Sequence, residues 1–348
     1  MSITQKIEKI FYECEEAEKF SGVISISNTN GIIFEKVGGL RNIGEKLPNN
    51  ADTAFGIASG TKLFTAVAAC KLLDQKKLSL DSKIRDILPY ELKAVGKDTT
   101  VFHLLTHSSG IADYLNDVVD FEDDSSIESF YAKYPVHTWK TLEFYLSLFN
   151  ELPNKFTLGA EARYSNSNFI LLGLIIETIT GENYHSYILQ NIIKPLGLKH
   201  TGFYPTNSLP ANTAIGYIED KASKKLVGNF FYISIIGCAD GGLYTTSKDM
   251  ELFWRGVMDG RLFSKSILNK FLTPHTVYED IKGHFGLGVF IEEKEGKKIY
   301  SHSGSDFGVS FQTTHIPHNG VVLTILSNVE MDIWNFVYRV MPVLMGMS

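Results

Sequence analysis

FGLGVFIEEKEGKKIYSHSGSDFGVSFQTTHIPHNGVVLTILSN, residues 285–328, holds four strand candidates in succession. They are FGLGVFIEE (285–293), KKIYSHSG (297–304), GVSFQTTHI (308–316) and GVVLTILSN (320–328). Each is rich in β-branched or aromatic residues, and turn-forming residues stand between them. The other end of the chain has the same character. GVISISN (22–28) alternates like a strand, and IIFEKVGG (32–39) resumes after Thr29-Asn30-Gly31. Asn-Gly between apolar runs signals a hairpin. A helix is expected before the first strand, from the spacing of Ile7, Ile10, Phe11, Cys14 and Ala17, and another after the last, over about 332–345. Between these ends the pattern is helical: a buried apolar helix at 62–73, two helices at 166–180 and 183–193 separated by Thr180-Gly181, and two more at 250–258 and 264–272. These elements predict an α/β (α+β) fold. Strands from both ends share one antiparallel sheet flanked by the N- and C-terminal helices, with an all-helical domain inserted between. The expected boundaries are 1–58 and 230–348 for the sheet domain and 59–229 for the helical one. Residues 113–155 form a variable insertion of loops and short helices. Its aromatic residues, including Tyr114, Tyr131 and Trp139, are expected to wall a substrate pocket and set specificity.

Composition narrows the function. Of 348 residues, 44% are hydrophobic and 21% charged, as in ordinary globular proteins. Net charge is −6, so there is no electrostatic hold on a polyphosphate backbone and no nucleic-acid partner is expected. Cys14, Cys70 and Cys238 are far apart and odd in number, which argues against a disulfide framework or zinc ribbon and fits a reducing compartment. The longest apolar run, 169–176, is far short of the roughly 20 residues that span a bilayer. The first twenty residues mix both charges and contain no uninterrupted apolar stretch, so a cytoplasmic location is expected.

Two motifs mislead. Residues 56–62, GIASGTK, suggest a phosphate loop, but Thr61 separates Gly60 from Lys62 and Leu63 follows. His103 and His107 have the spacing of two zinc ligands on a helix, yet Leu104 stands where a metalloprotease has its glutamate; a packing or hydrogen-bonding role is expected instead. No metal and no cofactor is expected.

Ser59-Gly60-Thr61-Lys62 is an SxxK tetrad at the start of an apolar helix. A serine hydroxyl needs a base to become a nucleophile, and i and i+3 share a helix face, so the Lys62 amine can approach Ser59. The Ser59 N–H, at a helix N-terminus, offers half of an oxyanion hole. Tyr164-Ser165-Asn166 precedes the helix at 169–180: Tyr164 is a second candidate base, and Asn166 can donate to a substrate carbonyl while accepting from Lys62. His302-Ser303-Gly304-Ser305 ends a strand candidate, where Gly304 admits close approach and the Ser305 N–H can complete the hole.

Together, SxxK near 60, YxN about a hundred residues on and HxG near 300 resemble the class C β-lactamase family of active-site-serine enzymes, which includes D-alanyl-D-alanine carboxypeptidases, D-aminopeptidases and β-lactamase-like esterases. HLLTHSSGI (103–111), residues 163–181, PLGL (195–198) and GGLYTT (241–246) are similar to further family stretches. The resemblance covers most of the chain. It implies a mixed sheet-and-helix fold with the site at a junction, Ser59 as nucleophile, Lys62 and Tyr164 as the proton-transfer pair, and Asn166 as a substrate-orienting residue. His302 takes the place of the lysine that β-lactamases usually have in this motif, and Leu158 replaces a proline. The histidine suits peptidase-like or esterase-like members acting on a small molecule or short peptide. A penicillin-binding sensor that acylates without turnover, or a true β-lactamase, is the alternative.

Overall fold

The protein is described by a computed structural model covering residues 1–278 and 283–346. Eight strands form its main sheet: β1 (Gly22–Asn28), β2 (Gly31–Gly38), β3 (Thr276–Tyr278), β4 (Gly283–Phe285), β5 (Phe290–Lys294), β6 (Lys297–Asp306), β7 (Val309–Ile316) and β8 (Val321–Ser327). Their order is β2-β1-β8-β7-β6-β5-β4-β3, antiparallel throughout. The two ends of the chain meet near one edge of it, where Val23 pairs with Leu326 and Ile24 with Ile325.

Period-two alternation explains the layers. Ile24, Ile26, Leu323 and Ile325 face α1 (Ile3–Tyr12) and α5 (Trp334–Met345), packing with Ile7, Phe11, Phe336 and Val340. Val23, Val322 and Leu326 face the opposite way, into the larger core. A reciprocal Ser2–Gln5 capping box starts α1. On the far face, α4 (Ser247–Met258) is tied to the sheet by the Trp254 indole N–H, which donates to Thr313 Oγ1 at 2.8 Å. Helix α2 (Thr61–Asp74) lies deeper and is apolar all round, with Leu63, Phe64, Val67 and Cys70 inaccessible to solvent. It packs with α3 (Asn166–Thr180), whose C-terminus is closed by Gly181 in the left-handed conformation. Residues 113–155 carry two short α-helices, Asp124–Lys133 and Leu142–Phe149, with a 3-10 turn, Val136–Thr138, between them.

Two expectations are corrected. FGLGVFIEE is not one strand but the end of β4, a turn and the start of β5. Gly288 sits at φ +80°, and a Cβ there would lie 2.5 Å from that of Ala66, so the turn is pressed against α2 where only glycine fits. The first helix stops at Tyr12, leaving Cys14 and Ala17 beyond its end. Among the described residues, no helix is long and apolar enough to cross a membrane.

Candidate active site

Ser59 is not on α2 but in a single 3-10 turn, Ala58–Gly60, immediately before it. Ala58 has φ +43°, a left-handed conformation that costs a non-glycine residue on the order of 1 kcal/mol. The turn is held by neighbours: the Ala58 carbonyl accepts from Thr61 Oγ1 at 2.8 Å, and Gly60 N–H donates to Ile57 O at 2.8 Å. It presents Ser59 to a cleft of about 610 Å³, whose wall also includes Tyr164, Asn166, Gly304 and Ser305.

Two of the expected residues meet at Ser59 Oγ. Lys62 Nζ lies 3.0 Å from it, and the Tyr164 hydroxyl donates to it at 2.6 Å. Lys62 Nζ also donates to Asn166 Oδ1 at 2.7 Å and to the Asp240 carbonyl at 2.6 Å, and stands 4.9 Å from the centre of the Tyr164 ring. Lys62 is wholly buried. Desolvation brings its pKa down from the ordinary lysine value to about 8, although Asp240 and Asp113 oppose the shift. The same burial pushes the Tyr164 phenol well above its ordinary value. Both groups are therefore driven toward neutrality. A neutral Lys62 keeps two N–H donors for Asn166 and Asp240 and turns its lone pair to the Ser59 hydroxyl. Tyr164, held protonated, is a proton donor at rest rather than a base.

The sequence reading of Asn166 needs revision. Its amide nitrogen faces Asp113, at 3.2 Å from Oδ1 and 3.0 Å from Oδ2, and is not turned to the cleft as a donor for a substrate carbonyl. Asp113, unforeseen, also accepts from the Asn166 backbone N–H at 2.7 Å, so a carboxylate caps α3, whereas Ser165 makes no side-chain cap. It thereby fixes which way the Asn166 amide points and aims Oδ1 at Lys62. The local signal was the aspartate two residues after HLLTHSSGI. Replacing Asp113 by alanine frees that amide and removes the cap. Ester turnover is expected to fall about tenfold to a hundredfold, with a lower Tm. Unchanged kcat/KM for a p-nitrophenyl ester would contradict this role.

His107 has a packing role. Its Nδ1 accepts the Ser165 N–H at 3.1 Å, and its ring lies between Tyr164 and Phe169, at 4.8 and 5.2 Å. His103 Nδ1 instead engages Thr100. The two imidazoles have separate partners. His302 departs from the expectation of a group beside the substrate. It is 2% exposed and is not among the residues lining the cleft; its Nδ1 lies 2.8 Å from the Ser303 carbonyl and its ring packs on Phe290. Desolvation, with Lys62 nearby, lowers its pKa to about 3, so it is neutral at physiological pH and supplies no positive charge. Gly304 lies against the nucleophile turn. A Cβ on it would sit 2.2 Å from Ile57 O and 2.9 Å from Ser59 N, so only glycine lets the edge of β6 pass this close. Ser305, the next residue, is exposed to the cleft.

Comparison with known proteins agrees with this geometry. A family model described as Beta-lactamase matches residues 7–339. The chain is 27% identical over 311 residues to the putative penicillin-binding protein PbpX of Bacillus subtilis (strain 168), spanning 89% of this chain and 71% of that protein. The crystal structure of a penicillin binding protein from Bacillus halodurans superposes with a TM-score of 0.86 at 32% identity, covering 99% of both chains. An octameric penicillin-binding protein homologue from Pyrococcus abyssi gives 0.82 at 29% identity, over 99% of this chain and 77% of that one.

Proposed function

The chain belongs to the Beta-lactamase family, and from that premise we propose that it is a serine hydrolase that cleaves an ester or amide through an acyl-enzyme on Ser59. The observation that carries the reading is Ser59 Oγ set between a buried amine at 3.0 Å and a phenol at 2.6 Å. Neutral Lys62 takes the Ser59 proton as Oγ attacks the carbonyl carbon. The N–H groups of Ser59 and Ser305 receive the oxyanion. As the intermediate collapses, Tyr164 gives its proton to the leaving alkoxide or amine and is reprotonated from the Lys62 ammonium. Water then attacks the acyl-enzyme by the same steps in reverse, releasing the acid and restoring Ser59. Asn166 and the Asp240 carbonyl hold the amine in line, and His302 takes no part in proton transfer.

The three buried cysteines, all unpaired, support a reducing, cytoplasmic setting, which cell fractionation tests. Seven residues of the 113–155 segment line the cleft, among them Tyr114, Phe121, Tyr131 and Trp139, which supports their setting specificity. Acyl trapping tests the central claim. After brief incubation with a p-nitrophenyl ester and acid quench, peptide mass spectrometry is expected to place the acyl group on the peptide containing Ser59, with steady nitrophenol release. An adduct elsewhere overturns the reading. A stable Ser59 adduct without turnover makes the protein an acylating sensor instead.

A further inference from the structure

The cleft has a charge character that the reaction does not require. Among its described lining residues there is no lysine or arginine, whereas Asp240, Asp306 and Glu330 all contribute to its wall. Asp306 ends β6, two residues beyond Gly304, and so lies roughly 7 Å along the strand from the point that touches the Ser59 turn. Its Oδ1 accepts the Phe307 backbone N–H at 2.8 Å. Beside it three aromatic rings pack together: Phe307 with Tyr232 at 4.7 Å, Phe307 with Tyr131 at 6.1 Å, and Tyr131 with Tyr232 at 5.6 Å. All three line the cleft. A carboxylate bordered by π-faces attracts a cation and repels an anion. His302, neutral and buried, does not offset it, and the buried Lys62 amine opposes it with a smaller effect on Asp306 than Asp240 or Glu330 exerts.

We propose that the cleft selects an acyl group bearing an ammonium ion next to the scissile carbonyl, as in an amino-acid amide or a peptide with a free amino terminus, and that Asp306 is the residue that reads the charge. The inference rests on the serine-hydrolase reading for its orientation. A carbonyl held at Ser59 and Ser305 puts an α-ammonium within one residue step of Asp306. Burial, together with Asp240 and Glu330, raises the Asp306 carboxyl to about 7, and a bound cation relieves that repulsion. A substrate with a carboxylate at this position meets like charge instead.

The test is direct binding, which needs no turnover. Ser59→Ala protein is titrated by NMR with leucinamide, with 4-methylpentanamide, which lacks only the amine, and with 4-methylpentanoate. Leucinamide is expected to bind at least about tenfold more tightly than the neutral amide, the scale of one hydrogen bond to a charged group, and the carboxylate is expected to bind most weakly. Adding Asp306→Asn is expected to bring the first two affinities together. Equal affinities in the Ser59→Ala protein, or no saturable binding of leucinamide in the millimolar range, overturn the proposal. So does a preference that survives Asp306→Asn. Because acyl trapping at Ser59 is a separate measurement, a hydrolase without charge preference is distinguishable from a protein that is no hydrolase.

Discussion

Ester turnover by the Ser59→Ala protein is expected to be lower by roughly 10⁴- to 10⁶-fold, the range seen when a serine nucleophile is removed, while its Tm stays within a few degrees of the parent. The loss follows from chemistry: no other hydroxyl is shared by Lys62 and Tyr164 in the described hydrogen bonds of the site. The retained stability follows from the partners left behind. Lys62 keeps Asn166 Oδ1 and the Asp240 carbonyl, enough for both donors of its neutral form, and Tyr164 keeps Asn166 Oδ1 at 3.4 Å, so at pH above about 8 no buried donor is left unsatisfied. The measurement is kcat/KM with a p-nitrophenyl ester alongside thermal unfolding. Turnover within tenfold of the parent would show that the nucleophile lies elsewhere.

Lys62→Met is expected to cost about 10³-fold in kcat/KM, within the span attributed to general-base catalysis, and to change the shape of the pH profile. At pH 7 an amine with a pKa of about 8 is neutral about a tenth of the time, against about one part in three thousand at the ordinary lysine value. Burial thus makes the base available. The active form is the neutral amine, so parent activity falls as pH drops below about 8 and levels off above it. The methionine protein lacks that limb. If it retained the same limb, the ionisation would belong to another group. Tyr164 cannot replace the lysine as resting base, because burial moves the phenol away from ionisation.

These two residues were legible because their relation is local: three positions apart, across the 3-10 turn that leads into an apolar helix, the chain places an amine beside a hydroxyl. Tyr164 and Asn166 were legible as a motif, but the direction of the Asn166 amide was not. It is set by Asp113, brought to it only by the tertiary fold. His302 was misjudged for a similar reason: the residue type and position were right for a group near substrate, but exposure is decided by how β6 packs against β5, which sets the His302 ring on Phe290. The sheet read well where the apolar pattern ran unbroken, as in β7 and β8, and failed at FGLGVFIEE, where Gly286 and Gly288 turn the chain and the aliphatic residues of the turn mask the break. Asp306 carried no signal at all until the strand placed it at the wall of the cleft.

The close passage of Gly304 against the Ser59 turn has a consequence for synthesis. The nucleophile leaves the ribosome early, but the strand edge beside it is translated roughly ten to fifty seconds later at ordinary elongation rates. Until β6 to β8 emerge, β1 lacks its partner β8 and the Ser59 turn lacks its neighbour. A nascent chain stalled before these strands therefore carries the SxxK tetrad without a formed cleft, and acylating reagents are expected to label the chain only once those strands have been made.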